Sequence, residues 1–175
     1  MKKIIIFLYF IGFLTAPQAA TAQDKSVSEH LKLKKIDSNE WVDLKEKLNT
    51  EGATIISFWA TWCKPCISEL NAIQDEYETW QKDTKVKLIA ISIDDSRSSD
   101  RVNGFVKTRG WDFEVFIDLN GDANRAFGVN SVVPYTFILD KDKKIVYTHT
   151  SYLAGDEDKY LEIITQIANN EPIKR

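Results

Sequence analysis

Phe58-Trp59-Ala60-Thr61-Trp62-Cys63-Lys64-Pro65-Cys66 is the stretch on which the fold of this chain turns. Upstream, Thr54 to Phe58 is a run of apolar and β-branched residues, the pattern of a buried strand. Downstream, Ile67, Leu70, Ile73, Tyr77 and Trp80 recur at helical spacing, which predicts an amphipathic helix over Ile67 to Trp80. Cys63 and Cys66 are the two cysteines of the sequence. The two-residue gap predicts both sulfurs on the first turn of that helix, close enough to form or break a disulfide. Such a pair is a two-electron redox switch and points to thiol–disulfide exchange.

Two other uses of a cysteine pair fit less well. A structural disulfide stabilises most when it closes a long loop, and this pair closes almost none. A two-cysteine zinc site needs two further ligands. His30 and His149 are the two histidines, far from the pair and not in ligand spacing, so no metal is expected.

The 175 residues suffice for one domain with a real core. A hydrophobic content of 43% and a charged content of 28% are ordinary for a globular protein. The net charge of −3 becomes −5 without Lys2 and Lys3, with 21 basic against 26 acidic residues. Neither value suits nucleic acid or an anionic membrane surface as partner.

Met1-Lys2-Lys3 is a short basic start, and Ile4 to Leu14 is apolar apart from Gly12. Pro17 breaks the segment, and Ala20-Thr21-Ala22 places small residues where a signal peptidase cuts. Residues 1–22 therefore read as a secretory signal peptide cleaved near Ala22, which predicts a periplasmic or otherwise exported protein. A spanning helix needs about 20 apolar residues, more than this run supplies, so membrane contact is expected only if the leader stays attached.

Residues 23–30 read as a flexible lead-in. Leu31 to Ile36 alternates apolar and basic like a half-buried strand. Asp37-Ser38-Asn39 offers caps for a helix carrying Trp41, Leu44 and Leu48, ended by Glu51-Gly52. Val86 to Ile93 reads as a buried strand, Asp100 to Thr108 as a helix stopped by Gly110, and Phe113 to Ile117 as a strand. After the turn Asn120-Gly121-Asp122, a short helix Ala123 to Phe127 is closed by Gly128. Tyr135 to Leu139 and Ile145 to Thr150 form a hairpin through Asp140-Lys141-Asp142-Lys143, before a final helix Asp156 to Ala168 and a tail, 169–175. The order β-α-β-α-β-α-β-α-β-β-α predicts an α/β domain over 31–168, one mixed sheet flanked by helices on both faces.

Trp62-Cys63-Lys64-Pro65-Cys66, taken with Val133-Pro134-Tyr135-Thr136-Phe137, resembles the thioredoxin superfamily. Phe58 to Cys66 looks most like its TlpA/ResA branch of exported thiol–disulfide oxidoreductases. The likeness runs from roughly Leu31 to Ala168, and the helix–strand segment between Asp100 and Ile117 resembles the insertion of that branch. By position, it implies that Cys63 is the exposed attacking thiol and Cys66 the buried resolving one. It implies that Pro134 is a cis-proline facing the disulfide, with the Val133 backbone open to strand-like pairing with substrate. An ordinary strand-entry proline is the alternative at Pro134. Trp62 would cover the disulfide or touch substrate, and Tyr135 stands where threonine is commoner and would reshape the groove. A helix N-terminus stabilises a thiolate, Lys64 adds a nearby positive charge, and Pro65 suits a first turn.

The departures from the family pattern bear on the chemistry. Cytoplasmic thioredoxins carry a buried aspartate six residues before the first cysteine, where this chain has Ser57. The branch often has a glutamate three residues after the second cysteine, and Glu69 stands there. On a helix Cys66 and Glu69 share a face. A partly buried Glu69 would hold its proton more tightly than usual and exchange it with Cys66; the alternative is a solvated helix glutamate. Asn71 replaces a helix-kinking proline. The family's N-terminal hairpin is not evident, and a helix around Trp41 is expected in its place.

The leading expectation is an exported enzyme, without cofactor, that reduces protein disulfides through Cys63 and Cys66. Its partners would be substrate proteins, which the resemblance extends to apocytochrome c, and a membrane or exported electron donor. A thiol peroxidase of the same fold would carry Pro-x-x-x-Thr/Ser-x-x-Cys, but Ile56 and Ala60 occupy those positions. A copper-binding module would want a wider cysteine spacing and a positioned histidine. Asp94, Asp95 and Asp118 read as strand-end caps, Trp59 and Trp111 as packing, and His149 shows no partner in the sequence.

Overall fold

Strand β3, Thr54–Trp59, is buried at all six positions, as its largely apolar and β-branched sequence predicts, because it has a strand on each side and a helical layer on each face. The computed structural model describes residues 30–173; the expected signal peptide, and its cleavage near Ala22, lie outside them. β1 (Lys32–Lys35), β2 (Trp41–Asp43) and the one-turn helix α1 (Leu44–Lys47) precede β3. After it come α2 (Lys64–Thr84), β4 (Lys87–Ser92), α3 (Ser99–Arg109), β5 (Glu114–Ile117), α4 (Asp122–Phe127), β6 (Tyr135–Leu139), β7 (Ile145–Thr150) and α5 (Asp156–Ala168). The sheet runs β2-β1-β5-β4-β3-β6-β7. β3, β4 and β5 are parallel, whereas β6 pairs antiparallel with β3 and β1 antiparallel with β5. It is a mixed sheet of the thioredoxin-like kind, and the α3–β5 segment adds β5 between β4 and β1.

Alternation along β3 divides the core in two. Ile55 and Trp59 pack with Leu70 and Ile73 of α2, Val102 of α3, and Tyr160 and Ile163 of α5. Ile56 and Phe58 face the other way, onto Leu44 of α1 and Phe127 of α4. Burying side chains of this size contributes roughly 1.5–3 kcal/mol each, so both layers hold β3 in place.

The N-terminal segment corrects an expectation. β1 and β2 form an antiparallel hairpin with Leu33 opposite Val42, and the helix begins only at Leu44, where Asp43 accepts a hydrogen bond from the Lys45 amide. Trp41 is a strand residue, 40% exposed. A three-residue strand is too short to show alternation, and Trp41, Leu44 and Leu48 fall at helical spacing without sharing a helix. The hairpin forms because β1 covers the edge of β5. The expected loose tail is also partly held: the Glu171 amide donates to the Gln166 carbonyl and Ile173 packs on the core.

Candidate active site

β3 ends at Trp59, and the chain turns through Ala60 to Cys63 before α2 begins. The Cys63 amide closes this turn on the Ala60 carbonyl at 3.0 Å. Asp94, 1% exposed just past β4, fastens it from the neighbouring strand. Its carboxylate accepts from the Thr61 amide at 2.9 Å, the Thr61 hydroxyl at 2.7 Å and the Ser92 hydroxyl at 2.7 Å. The cap expected at this strand end therefore reaches across to the turn that carries the cysteines. Asp118 caps in a similar way, accepting from the amides of Ala123 and Asn124 at the start of α4.

Cys63 is the N-cap of α2 and Pro65 sits in its first turn. Cys63 and Cys66 are joined by a disulfide, with Cα atoms 5.3 Å apart, and the Cys66 amide donates to the Cys63 sulfur at 3.3 Å. Cys66 is fully buried and Cys63 is 5% exposed. The exposed attacking thiol expected at Cys63 is thus covered in this oxidised state, because its sulfur is tied inward to Cys66. Lys64 and Pro65 between the cysteines are exposed, and so is Trp62 before them, at 64%.

Below the pair, the solvated-glutamate alternative for Glu69 is excluded. Glu69 has no exposed surface. Its carboxyl accepts hydrogen bonds from Ser57 Oγ at 3.0 Å, Thr136 Oγ1 at 2.8 Å and Tyr160 Oη at 2.7 Å. Burial pushes its proton affinity above the ordinary carboxylic range, while the three hydroxyls and the charge of His149 pull the other way. Ser57, where thioredoxins have their aspartate, binds the carboxyl that α2 supplies; a buried acid is present but comes from the helix instead of the strand. Asn71, in place of a proline, leaves α2 continuous and accepts from Trp111 Nε1 at 3.0 Å.

The Val133–Pro134 peptide bond is cis. Phe58 pairs with Tyr135 in the antiparallel β3–β6 register, so Pro134 falls at the sheet end where β3 runs into the cysteine turn. Pro134 is buried, Val133 and Tyr135 half-buried, and Val132 is 53% exposed. The Tyr135 ring stacks on Phe137 with centroids 4.4 Å apart, on the sheet face opposite Glu69. Thr136 and Tyr160 were not marked by the sequence as site residues. Thr136 lies in the quoted Val133–Phe137 stretch, but nothing local to Tyr160 announces its role. His149, without a partner in the sequence, has one: its Nε2 is hydrogen-bonded to Asp156 Oδ2 at 3.0 Å. Among the described residues no helix is long and apolar enough to cross a membrane.

Comparison with known proteins agrees with this geometry. The pattern of the AhpC/TSA family matches residues 24–148. The chain is 34% identical over 131 residues to the thiol-disulfide oxidoreductase ResA of Bacillus anthracis, covering 72% of this chain and 68% of that one. It is 25% identical over 162 residues to sporulation thiol-disulfide oxidoreductase A of Bacillus subtilis, covering 90% and 94%. The match to ResA of Bacillus thuringiensis subsp. konkukian spans 62% of that protein's length. Among solved structures, a thioredoxin-like protein from Porphyromonas gingivalis superimposes with a TM-score of 0.71 at 39% identity, over 83% of this chain and 94% of the other. StoA from Bacillus subtilis shares the fold with a TM-score of 0.58 at 24% identity, over 74% and 94%.

Proposed function

The chain belongs to the AhpC/TSA family, and on that footing we propose that it is an exported thiol–disulfide oxidoreductase that reduces protein disulfides. One observation carries the reading: the Cys63–Cys66 disulfide caps α2 directly above a buried carboxyl with raised proton affinity. The relatives named thiol-disulfide oxidoreductase support it, as does the expected leader for export.

In the reduced protein, the Cys63 thiolate sits at the N-terminus of α2, where the helix dipole and unpaired amides favour negative charge. It attacks one sulfur of a substrate disulfide. A mixed disulfide forms and the first substrate thiolate leaves. Cys66 then gives its thiol proton to the Glu69 carboxylate and attacks the Cys63 sulfur. The Cys63–substrate bond breaks, the second substrate thiolate departs, and the Cys63–Cys66 disulfide remains. Two electrons pass to the substrate, and a dithiol donor outside this chain must return the pair to the reduced state. Trp62 and Val132 provide an exposed apolar rim for substrate, and the Val133–Pro134 backbone a strand-like edge. Apocytochrome c, with its paired haem-site cysteines, is one substrate suited to this chemistry. A peroxidase reading is not favoured, because Ile56 and Ala60 lack the groups that bind peroxide in such enzymes.

The test is turnover of a protein disulfide by the reduced chain, with Cys66→Ala as trap. The expected result is reduction by the wild type and accumulation of a Cys63-linked mixed disulfide in C66A. A reduction potential near −270 mV, about that of thioredoxin, fits a reductant, whereas about −120 mV reverses the direction. Absence of both reversible redox change and trapped substrate rejects the proposal.

A further inference from the structure

Glu69 is fully buried, and Ser57, Thr136 and Tyr160 give it hydrogen bonds but no charge. Beyond those hydroxyls, a positive charge on His149 favours its carboxylate. His149 stands opposite Thr136 in the β6–β7 register, so both side chains lie on the sheet face that Glu69 and α5 occupy. Its ring meets Tyr160 edge-on with centroids 6.1 Å apart and stacks on Tyr147 at 6.2 Å. Its outer side is braced by Asp156, and both are partly open to water, with side chains 28% and 30% exposed.

The titratable groups around this imidazole are Glu69 from α2, Tyr147 beside it on β7, Tyr152 in the following turn, and Asp156, Glu157, Lys159 and Tyr160 on α5. Burial holds Tyr147, Tyr152 and Tyr160 above the ordinary phenol range, so they stay protonated near neutrality. Asp156 and Glu157 are held below the usual carboxylate range, the first by its bond from the Leu153 amide and by His149, the second by its hydrogen bonds against the effect of burial. Lys159 is paired with Glu162. That leaves the His149 imidazole, edge-on to Tyr160 and paired with Asp156, as the basic side chain seated beside the acid.

We propose that His149 is a positioning residue for the thiol chemistry: its Asp156-braced imidazole, seated against Tyr160, stabilises the Glu69 carboxylate and sets the pH at which Glu69 exchanges a proton with Cys66. A positive charge at position 149 favours ionised Glu69, which then accepts the Cys66 proton; without that charge Glu69 holds its own proton more tightly. The proposal rests on the role given to Glu69 above.

The test is a carbon-13 NMR titration of the Glu69 side-chain carboxyl in the oxidised full chain, comparing wild type with His149→Gln and His149→Lys. In H149Q the Glu69 midpoint is expected to rise by about half a pH unit, roughly threefold in proton affinity. In H149K, which keeps a positive charge, it is expected to stay at the wild-type value or fall below it. A midpoint unmoved in H149Q overturns the proposal. So does a shift in the same direction in both variants, which is the mark of loosened packing. In the reduced protein, the bend in the pH dependence of the reduction potential is expected to move with the Glu69 midpoint, and a bend that stays put also overturns it. The titration needs no turnover, so it is decided independently of whether the chain reduces protein disulfides.

Discussion

Glu69 carries a stability signature that its burial dictates. Its folded-state proton affinity is raised above the ordinary value, chiefly by burial. The folded state therefore binds more protons than the unfolded state between the unfolded pKa, about 4.3, and the higher folded value. Stability falls as pH rises through that window, by on the order of 1.4 kcal/mol per unit of raising, and the full cost is present above the folded value. Glu69→Gln removes this dependence. E69Q is expected to gain stability relative to wild type between pH 4.5 and pH 8.5, measured by denaturant unfolding of the oxidised proteins; an equal difference at both pH values contradicts it. The same variant is expected to slow disulfide reduction at least tenfold near neutral pH, because Cys66 loses its proton acceptor. Trp62, 64% exposed, predicts the opposite pattern. Trp62→Ala is expected to leave unfolding within about 0.5 kcal/mol of wild type and to weaken substrate capture by about 1 kcal/mol or more, read as a raised KM. The cysteine pair was legible in the sequence from its spacing and Trp62 from its place beside Cys63, while Glu69 was marked by the resemblance to the family. The Tyr160 hydroxyl was not, because it comes from a helix distant in sequence.

The turn between β3 and α2 depends on an element that the sequence presents only as a strand end. Asp94 holds the Thr61 amide and hydroxyl together with the Ser92 hydroxyl. Asp94→Ala leaves these buried donors without their acceptor, at about 1–3 kcal/mol for each group left unsatisfied. D94A is expected to lose about 2–4 kcal/mol in denaturant unfolding and to slow thiol exchange at Cys63. Stability within about 0.5 kcal/mol of wild type would show that the turn holds itself. Long elements were legible at this scale: α2 through its apolar stripe, β3 and β4 through their apolar runs, α3 through Gly110, whose φ of 65° suits glycine at a helix end. The hairpin of β1 and β2 was not, because Trp41–Asp43 is too short for its period to show and is held by pairing with β1.

Across the whole molecule, contacts between distant segments set the limits on substitution. Gly52, in the connection before β3, lies against the end of α2. A Cβ there would come within 2.5 Å of the Lys85 carbonyl oxygen and 2.6 Å of that of Thr84, both of them backbone atoms. Gly52→Ala is expected to destabilise by about 1–3 kcal/mol through overpacking, read as a lower Tm with the active-site titration unchanged. A Tm equal to wild type would mean that the two segments separate at little cost.

The sequence by itself determined the redox pair, the helix that presents it, the alternation of strands and helices, and the position of an acid one turn below Cys66. These follow from local rules: period, cap and spacing act over a few residues and do not depend on the rest of the chain. Only the tertiary structure decided what surrounds that acid. The three hydroxyls on Glu69 lie 12, 67 and 91 residues away. They meet because β3 and β6 pair in one register and α5 packs against α2 over the same sheet face. The β6–β7 register sets His149 opposite Thr136, and the parallel β3–β4 pairing brings Asp94 to Thr61. Burial created there removes water from the carboxyl, and desolvation, which no local spacing encodes, raises its proton affinity.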